Sequence, residues 1–482
     1  MPALSVARSG TATGVSVSVK PHNASFRDPS GFIFVRDGVL YRQVQTTYRE
    51  HYDHLVSSGL LESLVRDGQL VSHEECQVGS AAPGAYKVLR PALVDVVSYP
   101  FEWSFGQLKD AALLTLRVQA RALEQGMTLK DASAYNVQYQ DGRPIFIDTL
   151  SFERHVAGHG WRAYRQFCQH FLAPLALMSG LDVRLGQLTR VHLDGVPLDL
   201  ASRLLPRRTW LRPGLAMHLH WHARAQRQYA GVESEGPHRA AAEARVTPVG
   251  MRGILQSLER AIEGLTWEPK GTEWADYEST HRYGEAAQAV KRELVRDWFR
   301  LIAPAPRRVI DLGANAGVFS RLVAENGATV MAVDGDAAAV ERNYRRTVAD
   351  STKGLLPLLT DLTNLEGGAG WAGEERLPLF SRTRADLALC LALVHHLAIG
   401  NNVPLDRLAA WLSTVAPQLI IEFVPKSDPQ VQRLLASRQD VFPSYTVEAF
   451  EAMCERHFVI RRRQPIAGSE RTLYQMQRRD GG

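Results

Sequence analysis

The sequence predicts an α/β protein in which the second half forms a mostly parallel sheet covered by helices on both faces. The first half reads as a separate α+β unit. Three observations carry this expectation. The stretch VIDLGANAGVFS, residues 309 to 320, reads as a strand, a tight glycine turn and a helix start. Four further short apolar runs follow it, with helix-like segments at Asp336 to Val348 and Val403 to Val415 between them. Strands that alternate with helices give parallel sheets with both faces covered. Finally, the chain ends in two closely spaced strand-like runs, Phe458 to Arg461 and Thr472 to Met476, with a turn near Gly468.

Taken in chain order, residues 1–25 read as a flexible polar tail, without the charged-then-apolar layout of a signal segment. Ser30 to Val44 alternates apolar and polar residues around Asp37-Gly38, a good two-residue hairpin turn. A helix-like stretch follows from Thr46 to Asp67, and YKVLRP reads as a strand carrying Lys87. Phe105 to Gln125 has one broad apolar face, with Leu108, Ala112, Leu116 and Leu123 at helical spacing. After it, Asp131, Asn136 and Asp148 surround a hairpin, Val137 to Tyr139 and Pro144 to Ile147, that turns at Asp141-Gly142. His218, His220 and His222 could line one face of a strand as metal ligands. Their Ala, Arg and Gln neighbours favour a helix instead, on which only His218 and His222 share a face, so no metal site is expected.

Residues 232–250 lose apolar periodicity and read as a linker, which divides the chain into a domain over 26–231 and another over 251–482. Met251 to Leu265 is amphipathic. Trp274, Tyr277 and Tyr283 then precede a helix that runs into the glycine turn's strand. These aromatics suit either a flap over a ligand or simple packing on the sheet.

The glycine turn invites a nucleotide or nucleoside. Gly313 and Gly317 let the backbone turn sharply and approach a ligand closely, and the helix start offers free N–H groups. Asp311, just before the turn, argues against a phosphate there and for a ligand with an amino group. Asp334 lies 23 residues further on, at the end of the next apolar run. An acid at that distance sits at the tip of the neighbouring strand, where it can accept both ribose hydroxyls. The run Leu355 to Leu359 leads to Asp361, suited to an adenine amino group. The run Ala385 to Val394 ends at His395 and His396, and Leu419 to Phe423 contains Glu422.

With these residues in view, the region from about 270 to 480 resembles class I S-adenosylmethionine-dependent methyltransferases. DLGANAG matches the glycine motif, with Asn315 where a third glycine often sits; Asn tolerates left-handed backbone better than most residues. GANAG does not fit the G-x-G-x-x-G spacing of nicotinamide-binding domains. The resemblance implies a Rossmann-like, seven-stranded sheet closed by an antiparallel hairpin, and S-adenosylmethionine as cofactor. Asp311, Gly313, Asn315, Gly317, Asp334 and Asp361 would bind it. The expected reaction is in-line methyl transfer to an oxygen or nitrogen of a small-molecule acceptor. The protein would mainly align donor and acceptor, with His395, His396 or Glu422 as candidate catalytic base, imidazole being suited by its near-neutral titration. The whole-chain layout is also similar to bacterial methyltransferases, some of them called nodulation proteins.

The order helix, D-x-x-x-x-N, hairpin, D in the first half resembles kinase-like phosphotransferases. The resemblance implies Asp131 as base, Asn136 and Asp148 as Mg²⁺ holders, Lys87 as phosphate partner, and ATP with Mg as cofactors. The departures are Leu129-Lys130 before Asp131, Thr149-Leu150 after Asp148, and no glycine-rich loop in the Ser30 hairpin. A plain structural hairpin, with Asp and Asn capping turns, is the alternative.

Composition sets outer bounds. At 482 residues, 45% hydrophobic and 22% charged, the chain suits more than one core. A net charge of +5, without aromatic-interleaved basic surface, allows a nucleic-acid partner but does not indicate one. Cys76, Cys168, Cys390 and Cys454 lie far apart, so neither a disulfide framework nor a zinc site is suggested. No apolar run reaches the ~18 residues of a membrane span, and a cytoplasmic location is expected. The oligomeric state is not legible.

Overall fold

The computed structural model describes residues 22–229, 246–269, 285–436 and 439–479. The first half opens with the expected hairpin, β1 (Gly31–Arg36) and β2 (Val39–Gln45). Asp37 and Gly38 both sit at positive φ (51° and 77°), as a two-residue turn requires. β3 (His73–Glu75) and β4 (Ala85–Pro91) complete an antiparallel sheet in the order β1-β2-β4-β3. The helical stretch after β2 is two helices, α1 (Arg49–Ser57) and α2 (Leu60–Arg66), because Gly59 between them is left-handed (φ 76°).

α3 (Phe105–Glu124) runs through the middle of this half. It starts at Ser104, whose hydroxyl accepts from the Gln107 N–H while the Gln107 side chain accepts from the Ser104 N–H. Such a reciprocal cap satisfies two otherwise orphaned donors. Beyond it, β5 (Met127–Leu129) pairs with β8 (Phe152–Arg154), and β6 (Val137–Gln140) pairs with β7 (Arg143–Phe146) about Asp141-Gly142. Short helical turns, including α4 (Leu198–Leu204), fill out the rest up to residue 229. α5 (Pro248–Glu263), read from sequence as the head of the second domain, packs on α3. Trp274, Tyr277 and Tyr283 lie outside the described residues.

The second half contains one seven-stranded sheet in the order β11-β10-β9-β12-β13-β15-β14. Its strands are β9 (Arg308–Leu312), β10 (Thr329–Asp334), β11 (Leu355–Leu359), β12 (Leu387–Cys390), β13 (Gln418–Phe423), β14 (Phe458–Pro465) and β15 (Thr472–Arg478). β9 to β13 run parallel; β15 enters antiparallel between β13 and β14. The apolar run 385–394 is only partly strand. After Cys390 the chain leaves the sheet through Ala392 at φ 53° and turns into a helical segment at His396.

The helices α6 (Glu285–Leu301), α7 (Val318–Ala324), α8 (Ala337–Ala349), α9 (Leu405–Val415) and α10 (Val447–Glu455) cover the sheet. One apolar layer joins Val295 and Phe299 of α6 to Val309, Val330, Leu389 and Ile420. The other joins Ile310, Met331, Leu358 and Ile421 and continues without a break into Phe105, Leu108 and Tyr139 of the first half. The two halves therefore share a core.

Polar contacts stitch the same seam. The Gly106 N–H donates to Glu341 (2.8 Å), the Tyr344 hydroxyl to Asp110 (2.6 Å), and the Gln107 amide to the Pro357 carbonyl (3.1 Å). At its centre Arg382 donates to Glu102, both almost fully buried, with the guanidinium 4.0 Å from the Tyr99 ring centroid. Burial pushes the Glu102 carboxyl up to about 7 against the pull of Arg382. Removing one member of a buried pair strands the other, at about 3–5 kcal/mol. Arg382→Ala should lower the melting temperature accordingly, and adding Glu102→Gln should recover part of the loss. Equal losses in the single and double variants would show that the stranded charge is not the cause.

Candidate active site

The glycine turn is built from three left-handed residues: Gly313 (φ 72°), Asn315 (φ 48°) and Gly317 (φ 77°). This accounts for asparagine at the middle position, since Asn is among the few side chains that tolerate that region. The turn is fastened to the neighbouring strand, because the Gly313 and Ala314 N–H groups both donate to the Val333 carbonyl (2.9 and 3.0 Å). Side chains hem it in as well. A Cβ on Gly317 would lie 2.3 Å from Asn343 Oδ1, and one on Gly313 would lie 3.1 Å from Leu393 Cδ1.

Two carboxyls stand at the tips of β9 and β10. Asp311 accepts from the Ser320 hydroxyl (2.6 Å) and is buried. Asp334 accepts from the Asn315 N–H through Oδ2 and from the Asp336 N–H through Oδ1, each at 2.8 Å. Burial pushes both carboxyls up to about 6. Past β11, Asp361 is exposed and accepts from the Thr363 N–H and hydroxyl. Its neighbour Thr360 is buried, and the Thr360 hydroxyl has no hydrogen-bond partner among the described residues.

Asp311, Gly313, Asn315, Asp334 and Asp361 all line one cavity of 2130 Å³; Gly317 shapes the turn without lining it. The cavity continues past Leu393 and His396 to Lys291, Asp428 and Arg471, and on to Glu102, Arg184, Gln187 and Arg190 of the first half. The sequence allows a first half that selects or covers the substrate, but it does not single out these wall residues. Only the shared core brings the segment 181–190 to the sheet.

The three candidate bases separate here. His396 lines the cavity. His395 does not: it is fully buried, its ring centroid is 4.0 Å from that of His396, and neither of its nitrogens has a hydrogen-bond partner among the described residues. Burial, first of all, and the cations nearby hold it well below its ordinary range and therefore neutral. Glu422 is likewise fully buried behind the cavity, accepting from Lys291 Nζ (2.5 Å) and lying 3.4 Å from Arg471. Arg471 also pairs with Asp428 (2.7 Å). Glu422 is thus a counter-ion that fixes two cavity-lining cations. A carboxylate engaged in this way does not reach an acceptor's proton.

In the first half, Asp131, Asn136 and Asp148 come together. Asp131 accepts from the Ser133 N–H (2.9 Å) and is pushed up by burial and, after that, by the Asp148 charge. Asn136 donates to the Ser151 hydroxyl (3.0 Å), which in turn donates to Asp148. Lys87 is not with them; it sits half-exposed on β4 and pairs with Glu75 (2.5 Å). The cation on Asp148 is Arg42 of β2, at 2.5 Å, with both side chains nearly buried. Sequence reading missed Arg42 because it weighed lysines only. The histidines of 216–222 pack: His218 hydrogen-bonds Tyr164 and Ser257, His220 hydrogen-bonds Ser202 and Thr209, and His222 stacks on Tyr164.

Five parallel strands, an antiparallel strand inserted next to the edge, and an acid-flanked glycine turn at the first strand define the class I methyltransferase fold. The chain belongs to the family of the nodulation protein NoeA of Rhizobium meliloti strain 1021. The two are 37% identical over 465 residues, 94% of this chain and 95% of that one. No family model matches. Among solved structures, the Synechocystis PCC 6803 magnesium protoporphyrin IX methyltransferase ChlM with bound SAH overlaps 42% of this chain and 88% of its own, at 18% identity and a TM-score of 0.31. The bifunctional kinase-methyltransferase WbdD overlaps 42% and 41%, at 19% identity and a TM-score of 0.29.

The left-handed turn gives a local prediction. Gly317→Ala places a Cβ against Asn343 in a strained backbone and should cost about 1–3 kcal/mol. Asn315→Gly should be nearly neutral. Thermal unfolding of the two variants checks this; equal destabilisation would show that the turn's handedness does not govern it.

Proposed function

We propose that the chain is an S-adenosylmethionine-dependent methyltransferase acting on an oxygen or nitrogen nucleophile of a small-molecule acceptor. One observation carries the reading. Asp311, Asp334, Asp361 and the unpartnered Thr360 hydroxyl face a single cavity that extends past His396 to the first half of the chain. A buried hydroxyl without a partner is costly unless something completes it, and an adenine amino group would. Asp334 would accept from the ribose hydroxyls and Asp311 would face the amino acid end, across a turn whose backbone allows close approach.

The cofactor, when bound, supplies a methyl group on a sulfonium, already activated for transfer. The chain's own residues hold and orient. The turn and the three acids fix the donor, and the first-half segment 181–190 faces it across the cavity as the acceptor wall. His396, the one of the three candidate bases that lines the cavity, would take the acceptor's proton where the nucleophile carries one. Lys291 and Arg471, paired with Glu422 and Asp428, set a charged edge to the same space.

Asp334→Ala should abolish most S-adenosylmethionine affinity in calorimetry, and unchanged binding would sink the assignment. Binding should also depend on pH. Asp311 and Asp334 are pushed up to about 6, so each gains a proton below that pH and loses its value as a charged acceptor. Affinity should fall by about tenfold per pH unit for each proton involved. Unliganded stability moves the other way. Both folded values exceed the ordinary 3.8, so ionisation in the folded state lowers stability as pH rises from 3.8 to about 6, and no further above. Affinity that is flat from pH 7.5 to 5 would remove both acids from the contact. Replacing His395 and His396 together should spare cofactor binding and reduce turnover.

A second reading rests on the meeting of Asp131, Asn136 and Asp148: the first half is a kinase-like module. Arg42 and the Ser151 hydroxyl already occupy Asp148, which favours a degenerate module over a working phosphotransferase. The expected outcome is no phosphate transfer from ATP with Mg²⁺. Nucleotide binding, where present, would show as a rise in melting temperature that Asp148→Ala removes. Sustained ATP turnover would overturn the degenerate assignment.

A further inference from the structure

The first half carries a strongly one-signed stretch that neither site uses. Between Asp199 and Glu233 the sequence holds six arginines and no acid. That stretch exceeds the net charge of the whole chain, +5, so the remainder is slightly negative. Within it, α4, the helical turn Arg207–Leu211, and the segments Pro213–Leu215 and Ala216–Trp221 pack on one another into a small bundle. Thr209 and Trp210 pin the bundle to His220, by a hydrogen bond of 2.9 Å and a ring stack at 4.5 Å.

The exposed residues of this bundle are large apolar side chains and arginines. Leu211 is 85% exposed and Trp221 57% exposed, with Leu204, Trp210 and Met217 also exposed. Arg207, Arg208, Arg212 and Arg224 are exposed too, and none of the four forms an ion pair with a described residue. Arg203 is the exception, paired with Asp199. Large aliphatic and indole side chains are costly in water when grouped, and a grouped, exposed set marks an interaction surface.

We propose that this surface docks the protein on an anionic lipid bilayer. Leucine and methionine gain by entering the acyl boundary, and tryptophan favours the headgroup level. Arginines carried by the same short elements gain about 1 kcal/mol each near an anionic leaflet, about fivefold in affinity. A nucleic acid would reward the arginines but offers nothing to Leu211, Met217 and Leu204. The inference does not rest on the methyltransferase reading.

The test uses the full chain and vesicles of phosphatidylcholine with or without phosphatidylglycerol. Flotation should recover the protein with the anionic vesicles and not with phosphatidylcholine alone, and high salt should weaken recovery, since exposed charges are screened. Arg207→Glu with Arg208→Glu should cost at least about 25-fold in affinity. Leu211→Asp should cost about tenfold or more, and Trp221→Glu should remove the blue shift of tryptophan emission on anionic vesicles. All the substituted residues are exposed, so melting temperatures should match the parent and separate lost docking from lost folding. Absence of binding to anionic vesicles overturns the proposal. So does binding that the Leu211 and Trp221 variants leave unchanged, or binding confined to single-stranded RNA.

Discussion

The buried pair Glu102–Arg382 ties the two halves at the place where the cavity forms. Glu102 lies on the approach to α3, and Arg382 precedes β12. Arg382 also donates to the Val97 carbonyl, so the segment from 97 to 106 is held against the sheet by charge, backbone and the Tyr99 ring. From there α3 presents Gly106 to Glu341 so closely that a Cβ would stand 2.9 Å from the carboxylate. Desolvation makes such a pair weak as net stabilisation yet strict as a rule of placement, because neither partner can be left alone. The consequence is a first half packed against the sheet that carries the glycine turn. Glu102 itself lines the cavity, as do Gln187 and Arg190 further along the same half.

Much of the second half was legible because its signals are local. The run 309–312 is apolar and β-branched where a buried parallel strand should be. Positive φ at Gly313, Asn315 and Gly317 is what glycine and asparagine are suited to, and Asp334 falls at the strand tip because a βαβ unit has a narrow range of lengths. The closing hairpin was legible from spacing alone. What stayed hidden depends on contacts between distant residues. Nothing local in the stretch WLRPGLAM, residues 210–217, or in 181–190 says that one exposes Trp210, Leu211 and Met217 and the other lines a cavity. Nothing local separates His395 from His396, one turn-step apart, of which only the second lines the cavity. Glu422 looked like a free acid in a strand; it is an anchored one because α6 delivers Lys291 and β15 delivers Arg471 to it.

The lysine reading of the first half failed for a related reason. A strand's alternation tells which residues share a face, not which partner that face meets. Lys87 and Arg42 lie on paired strands of one sheet. Lys87 pairs with Glu75 of β3, while Arg42 reaches the hairpin end that carries Asp148. One of the Arg42 nitrogens lies 2.5 Å from Asp148, while Nε is buried without a partner among the described residues, so the guanidinium is only partly answered.

How far the acids are answered separates the two acid-bearing constellations of the chain. In the first half the acids and the amide are already answered: Asp148 by Arg42, Leu150 N–H and Ser151, Asp131 by Ser133 N–H, Asn136 by Ser151. In the second half the arrangement is left incomplete. Three successive alternate residues hold left-handed backbone, two carboxyls are pushed up to about 6, and the Thr360 hydroxyl is buried without a partner among the described residues. The raised carboxyls and the unmet hydroxyl cost folding free energy, while the left-handed positions fall on residues that tolerate them. They persist because the sheet and the seam around them are stable enough to impose them, and they converge on a single cavity. A set of costs concentrated at one place supports the proposed placement of the chemistry at the turn 309–320, with the first half lining part of the same cavity.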